Sequence, residues 1–151
     1  MLQIPPVDYR IDWVQLGTFS IAGDTTISGA KELHVVYIAK DKLQRYNATG
    51  QFAEGTMLIK DVRAAKTETL TTGTASFGGD LLGRFVMVKL ASNGSTARSP
   101  RFGDGWAWAF FERSETQRTV TRDYRADCLS CHEPARASDL VYVQGYPVLR
   151  Q

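Results

Sequence analysis

Three absences narrow the possibilities for this 151-residue chain. The formal net charge is only +2 and the charges are dispersed, so no surface for nucleic acid is expected. No stretch approaches the roughly 18 apolar residues that a membrane-spanning helix needs. No secretory leader is visible, because Met1 leads directly into a short segment that contains Pro5 and Pro6. With 43% hydrophobic residues, the chain is expected to form one domain over residues 1–151.

Cysteine and histidine are also scarce, with two residues of each type. Three of these four residues lie within five positions, in the run Cys128-Leu129-Ser130-Cys131-His132. A Cys-x-x-Cys-His run is typical of c-type haem attachment, in which two thiols add to the vinyl groups and the adjacent imidazole binds the iron. The sequence therefore predicts one covalent haem c, attached through Cys128 and Cys131, with His132 as the proximal iron ligand.

Two other chemistries stay open for the same motif. A structural zinc site needs four ligands, and His34 is the one histidine left to complete the set. A thioredoxin-like dithiol is expected after an early strand of a βαβ unit, whereas this motif ends about 20 residues before the C-terminus. Both alternatives fit the sequence less well than haem does.

The sixth coordination position of the iron separates an electron carrier from a ligand-binding haem. No methionine or histidine follows His132. Upstream, Met57 and Met87 lie in strand-like runs typical of core residues, and His34 alternates with apolar neighbours in another such run. The sequence therefore favours a five-coordinate iron with an open distal site for small gaseous or nitrogenous ligands.

The pattern of apolar residues predicts a mainly β fold. Runs rich in β-branched and aromatic residues predict strands, and runs of Gly, Asn, Asp, Ser and Thr predict the turns between them. The predicted strands are residues 32–38, 57–62, 81–90, 106–111 and 140–149, and the predicted turns are residues 71–74, 92–95 and 102–105. Because the strands follow one another without intervening long helices, we expect an antiparallel sheet.

A few short helices are expected beside this sheet. The predicted helices cover residues 8–16, 41–48 and 123–132, and end near Gly17, Gly50 and Pro134. Asp41 is a candidate cap for the second helix, and the third presents the two thiols. Trp106 and Trp108 alternate on one strand face, where packing in the core is expected, with a subunit interface as the alternative.

Short motifs recur in a characteristic order from Tyr9 to Leu149. They are Tyr9-Arg10-x-x-Trp13-x-x-Leu16-Gly17, Val35-Val36-Tyr37, Gly55-Thr56-Met57-Leu58-Ile59-Lys60, Gly105-Trp106-Ala107-Trp108-Ala109-Phe110, the haem motif, Asp139-x-Val141-Tyr142 and Tyr146-Pro147-Val148-Leu149. In their order and spacing they resemble the cytochrome P460 family, whose relatives include the beta-type cytochromes c′. The resemblance covers nearly the whole chain and implies a mostly antiparallel β fold that is usually dimeric.

For the cytochrome P460 branch, the resemblance also implies a strand lysine joined covalently to the porphyrin, together with hydroxylamine-oxidising activity. By the Gly-Thr-x-x-x-Lys pattern, Lys60 matches the cross-linking lysine. In a strand, Lys60 shares a face with Leu58 and Val62, which is an unusual setting for a solvated lysine. A lysine that extends its apolar stem along a strand end is the alternative.

Two positions depart from the family pattern. Where these proteins carry an arginine in the Val-Tyr strand, this chain has His34. Where a distal glutamate is expected, this chain has Phe85, or Arg84 if the register differs by one. A carboxylate would act as a general base toward bound hydroxylamine, whereas phenylalanine forms an apolar lid like that of the beta-type cytochromes c′. The chain thus combines the lysine of one branch with the pocket of the other.

We therefore expect a mono-haem cytochrome that binds small nitrogen species, and as an enzyme oxidises hydroxylamine or nitric oxide. The alternatives are a beta-type cytochrome c′ that binds nitric oxide without catalysis and a plain electron-transfer cytochrome. A redox partner protein and a homodimer are expected. Covalent haem attachment normally occurs outside the cytoplasm, so a periplasmic location is expected, with the leader absent from this chain.

Overall fold

The computed structural model describes residues 2–24, 29–92 and 98–150. Over these residues the chain forms one antiparallel sheet of six strands. The strands are β1 (Val14–Ala22), β2 (Ala30–Ile38), β3 (Met57–Leu70), β4 (Gly73–Lys89), β5 (Phe102–Gly103) and β6 (Trp106–Glu112). Their order across the sheet is β1-β2-β3-β4-β6-β5, so most neighbours in the chain are also neighbours in the sheet. The predicted mainly β, antiparallel fold is confirmed.

The hairpin of β3 and β4 is the longest element of the sheet. Its turn lies at Thr71 and Thr72, where a turn is predicted. Gly73 follows with φ of 120°, a backbone conformation that glycine adopts without steric cost. The predicted turn at residues 92–95 lies largely outside the described residues, and the predicted turn at 102–105 contains the short strand β5.

The helices are short and lie outside the sheet. They are α1 (Tyr9–Asp12), α2 (Lys40–Thr49) and α3 (Ser130–His132); a π-helical turn (Arg125–Leu129) leads into α3, and 3₁₀ segments follow it (Glu133–Ser138 and Val143–Gly145). None of the helices in the described part of the chain is long and apolar enough to cross a membrane.

The predicted helix over residues 8–16 is wrong in its second half. Only α1 is helical, and Val14 already pairs with Ile38 in the sheet. Pairing with β2 satisfies the backbone groups from Val14 onward, and this long-range gain outweighs the local helical spacing of the apolar side chains. The helix prediction for 41–48 is close, with Gly50 in the left-handed conformation at its end. Asp41 does not cap it, since Ala39 occupies that position.

The predicted strand over residues 140–149 is also wrong. This segment turns through Val143–Gly145 and packs against the sheet instead of joining it. Tyr146 illustrates the packing: it is buried, and its ring contacts Phe19 of β1 edge-on, with centroids 5.8 Å apart. The alternation of apolar residues in the tail therefore reflects burial against the sheet and not strand pairing.

Side chains alternate across the sheet and divide the core into two parts. The first part lies under the C-terminal segment and includes Val36, Leu58, Met87, Trp106, Trp108, Leu140 and Tyr146. The second lies under the N-terminal segment and includes Ile4, Tyr9, Ile59, Val86 and Phe111. Trp106 and Trp108 are 0% and 1% exposed, so their predicted role in the core is confirmed.

Candidate functional site

The motif Cys128-x-x-Cys131-His132 lies where the π-helical turn passes into α3. The start of this helical segment is held by Asp127, whose carboxylate accepts hydrogen bonds from the backbone N–H groups of Arg122 at 2.8 Å and Asp123 at 3.2 Å. These bonds fix the approach of the chain to the sheet. The motif therefore faces the sheet from a defined position.

A cavity of about 470 Å³ lies between this motif and the face of the sheet that the C-terminal segment covers. Its volume lies within the range of about 300–1,000 Å³ typical of cofactor and ligand pockets. The residues around it include Phe19, Ile21, His34, Val36, Leu58, Lys60, Phe85, Met87, Trp108, Asp127, Cys128, Cys131, His132, Val141, Tyr142, Gln144 and Tyr146. All of the sequence-predicted site residues except Arg84 lie on this cavity.

The imidazole of His132 has a fixed orientation. Its Nδ1 lies 2.7 Å from the carbonyl oxygen of Leu140, a distance at which Nδ1–H donates to that oxygen. The ring also meets Trp108 edge-on, with centroids 4.9 Å apart. Burial lowers the pKa of His132 and favours the neutral ring. With Nδ1 protonated and bonded, Nε2 is the nitrogen left to bind a metal.

The two thiols differ in their surroundings. Cys128 is buried, and burial raises the pKa of its thiol to about 11. Cys131 is exposed, although it also lines the cavity. Neither forms a disulfide, so both sulfur atoms are free for other chemistry. The hydroxyl of Tyr142 donates to the Cys131 carbonyl at 2.6 Å and ties the C-terminal segment to the motif.

Lys60 extends from β3 into the cavity as a half-buried side chain. Its Nζ lies 4.5 Å from the centroid of the Phe85 ring, at the distance of a cation–π contact. Burial lowers the pKa of the Lys60 ammonium, because the charged form loses hydration inside the cavity. The setting is therefore unlike that of a solvated surface lysine.

Phe85 and Arg84 lie on opposite faces of β4. The Phe85 ring faces the cavity and packs against Phe110, with centroids 4.4 Å apart. Arg84 is 5% exposed on the other face, where its guanidinium donates to the carbonyl oxygens of Arg113 and Glu115. The alternative that Arg84 occupies the position of the expected distal glutamate is therefore wrong, because strand alternation turns this side chain away from the cavity.

His34 lies on the cavity from β2, beside Phe19 of the neighbouring strand. Its Nε2 is 3.0 Å from Oε2 of Glu32, two residues earlier on the same face. Among the described cavity residues, Asp127 is the one carboxylate, and its bonds to backbone N–H groups occupy it. His34, paired with Glu32, is therefore a candidate proton acceptor on the sheet side of the cavity.

Met57 and Met87 lie in different parts of the core. Met87 is buried on the cavity side, whereas Met57 packs against the second part of the core. Within residues 2–24, 29–92 and 98–150, no group of three or more His, Cys, Asp or Glu side chains could hold a metal ion. The zinc alternative therefore gains no support from the described residues.

Leu140 and Trp108 contribute to the site, although the sequence analysis assigns neither of them to it. Leu140 acts through its backbone carbonyl, which a side-chain motif does not reveal. Trp108 was expected in the core, and it lies there and on the cavity at once. Trp108 belongs to the short motif Gly105–Phe110, and this motif is the sequence signal that could have pointed to it.

The family model described as Cytochrome P460 matches residues 6–143 of the chain. The chain belongs to the cytochrome P460 family. A comparison with curated proteins gave no match. Membership implies a haem cofactor, and the cavity fits this group in two respects. Its lining is mostly apolar, as a porphyrin requires, and the bonded Nδ1–H of His132 leaves Nε2 as a ligand beside the two free thiols.

Proposed function

We propose that this member of the cytochrome P460 family is a periplasmic, mono-haem c-type cytochrome that binds and oxidises hydroxylamine or nitric oxide. The observation that supports this function most is the set of side chains that line one cavity. Both thiols, the oriented His132 imidazole and the half-buried Lys60 all lie on it. When bound, the haem would supply an iron that binds the nitrogen compound and takes up its electrons.

Cys128 and Cys131 would hold the haem through thioether bonds, and His132 would bind the iron through Nε2. The edge-on contact with Trp108 fixes the plane of the imidazole. The carbonyl oxygen of Leu140 accepts a hydrogen bond from Nδ1–H and so favours the tautomer that is protonated there. These contacts prepare the ligand before the haem arrives, so little reorganisation accompanies binding.

The side chains of the sheet that line the cavity are mostly apolar and would keep water from a bound substrate. Phe85 and Phe110 form an aromatic pair beside Lys60. In the proposed oxidation, the substrate must lose protons as well as electrons, and the distal glutamate of the family is absent. The Glu32–His34 pair takes this role in our proposal, with His34 accepting the proton and Glu32 stabilising the charged ring.

Lys60 is the candidate for a covalent link to the haem. The test is the intact mass and the visible spectrum of the purified holoprotein, compared with those of Lys60→Ala. A cross-link would replace an N–H bond of Lys60 and a C–H bond of the porphyrin by a C–N bond, with an external oxidant taking up the two electrons. The wild-type mass would then lack two hydrogens relative to protein plus haem, and the variant would lose the modified spectrum and the hydroxylamine oxidation. Lys66→Ala, an exposed position on the same strand, is the matched control and should match wild type. A wild-type spectrum for Lys60→Ala would refute the cross-link.

A second function, that of a beta-type cytochrome c′ that binds nitric oxide without catalysis, is favoured by one observation. The Phe85–Phe110 pair gives the cavity an apolar cap on the side of Lys60. This function predicts an unmodified haem c spectrum and no hydroxylamine oxidation by wild type. A plain electron carrier would need a low-spin, six-coordinate iron, with Met87 as the methionine on the cavity, and a high-spin ferric spectrum would exclude it.

The redox partner and the homodimer belong to the same proposal. An oxidase of this kind must pass its electrons to another protein, and the family is usually dimeric. Sedimentation of the holoprotein tests the dimer, and reduction of a small cytochrome by holoprotein plus hydroxylamine tests the electron transfer. A monomer at all concentrations would remove the dimer from the proposal.

A further inference from the structure

The carbonyl that orients His132 comes from an unusual turn. Asp139 and Leu140 have φ angles of 59° and 64°, in the left-handed region. A leucine rarely occupies this region, because its Cβ crowds the backbone there. The N–H of Leu140 bonds to the Ala135 carbonyl at 2.9 Å, and its own carbonyl accepts from His132. Strained conformations of this kind persist where the surroundings hold them, and they cluster at functional sites.

Two side chains from the sheet hold this turn. Trp106, fully buried, donates from Nε1 to the Asp139 carbonyl at 3.0 Å. Lys89 donates from Nζ to both carboxylate oxygens of Asp139, at 2.8 and 2.7 Å. Lys89 and Trp106 are themselves partners across β4 and β6, and Nζ lies 4.9 Å from the centroid of the Trp106 ring. The turn is thus tied to the sheet through both its backbone and its side chain.

We propose that the Lys89–Asp139 ion pair is a positioning device for the proximal ligand. It holds the Asp139–Leu140 turn so that the Leu140 carbonyl keeps a short hydrogen bond with Nδ1–H of His132. Such a bond increases electron donation from an imidazole to its metal. The pair lies at the far side of the turn from the iron ligand and acts on it only through the backbone. The inference rests on the proposed role of His132 as iron ligand.

Two substitutions test the device in the holoprotein. Lys89→Met keeps the apolar packing on Trp106 and removes the donor. Asp139→Asn keeps a residue type that tolerates the left-handed backbone and removes the charge. Both should shift the midpoint potential of the haem upward and lower the iron–histidine stretching frequency, because a looser turn weakens the bond to Nδ1–H. Lys89→Arg restores a donor and should return both readouts toward wild type.

The opposite charges of the pair supply an internal control. If the two residues acted on the iron by charge alone, removal of the lysine would lower the potential and removal of the aspartate would raise it. Positioning instead predicts shifts of the same sign, and a double variant that matches either single variant. Opposite shifts would overturn the inference.

A purely structural role gives a further distinct result. It would lower the unfolding midpoint of both variants and leave the potential and the stretching frequency at their wild-type values, which would also overturn the inference. Absence of covalent haem from the wild-type protein would overturn the proposed function, and this inference with it. Wild-type holoprotein with unmoved readouts in both variants would overturn this inference alone.

Discussion

Replacement of Tyr9 by phenylalanine tests what holds the N-terminal segment against the sheet. The Tyr9 hydroxyl donates to Oδ1 of Asp61 at 2.6 Å, and the Asp61 side chain is 0% exposed. Arg10 adds a bond from Nε to Oδ2 at 2.6 Å, and Arg63 lies 3.5 Å from the same oxygen. Tyr9→Phe removes one charge-assisted hydrogen bond and leaves the carboxylate with the two arginines.

The expected magnitude follows from this geometry. A hydrogen bond to a charged group contributes about 1.5–3 kcal/mol, and the remaining arginine contacts place the loss toward the lower end. For a chain of this length, each kcal/mol lowers the unfolding midpoint by about 2–4 °C, so a loss of about 1.5–2 kcal/mol gives an expected fall of about 3–8 °C. The assay is denaturant unfolding of the holoprotein followed by circular dichroism, with thermal unfolding as a second measurement.

The matched control is Tyr37→Phe. The Tyr37 ring lies on the same side of the sheet, 5.4 Å from that of Tyr9, and no hydrogen bond of its hydroxyl is found within the described residues. Its loss of a hydroxyl should change the free energy of unfolding by less than about 0.5 kcal/mol. An equally small change for Tyr9→Phe would refute the reasoning, since the buried carboxylate would then not depend on the hydroxyl.

The same contact predicts a pH dependence at the alkaline end. Burial, followed by the hydrogen bond to Asp61, raises the pKa of Tyr9 above its usual value of 10.0. The folded state then holds a proton that the unfolded state releases, so stability is fully present below pH 10 and falls as the pH rises further. The slope of stability against pH in that range should be smaller in Tyr9→Phe than in wild type.

Three further predictions concern the site and its surroundings. Phe85→Ala removes the ring that contacts Lys60, and nitric oxide should bind the holoprotein faster in stopped-flow measurements; unchanged rates would show that Phe85 is not the cap. Backbone N–H donors lower the pKa of Glu115 to about 2, so its hydrogen bonds should persist as the pH falls through 4.5 and break only toward pH 2. The NMR chemical shift of the Glu115 carboxyl carbon, followed against pH, measures this. Gly17→Ala would place a Cβ 2.2 Å from the Gly145 carbonyl oxygen, and should cost about 1–3 kcal/mol in denaturant unfolding; a wild-type value would mean that the tail moves freely from β1.

Much of the sheet can be predicted from the sequence because its central strands carry strong local signals. β2 and β6 match their predictions closely, since runs of β-branched and aromatic residues between turn formers leave few alternatives. The errors fall where local and long-range preferences disagree. Residues 8–16 have helical spacing, but pairing with β2 decides the conformation from Val14 onward. Residues 140–149 alternate like a strand, but they pair with no strand among the residues that the structure describes.

For the candidate site too, features with a local sequence signal can be predicted, and features that depend on long-range structure cannot. Side chains with diagnostic chemistry, namely the two cysteines, His132 and Lys60, can be recognised from residue type and spacing, and the structure places them on one cavity. The choice between Phe85 and Arg84 depends on strand register, which a single sequence leaves open and the pairing of β3 with β4 resolves. The role of the Leu140 carbonyl depends on a backbone turn, so no side-chain pattern encodes it.

Because residues on the two faces of β3 have different surroundings, the strand tolerates insertions and deletions at some positions and not at others. Lys60 points to the cavity while its neighbour Asp61 is buried in the opposite core, so loss of one residue between Met57 and Lys60 would exchange the lysine and the carboxylate. Beyond Val62 the pairing with β4 already contains register irregularities, and these can absorb a change of one residue. Length variation should therefore collect in the outer hairpin around Thr71 and be rare in the inner part of the strand.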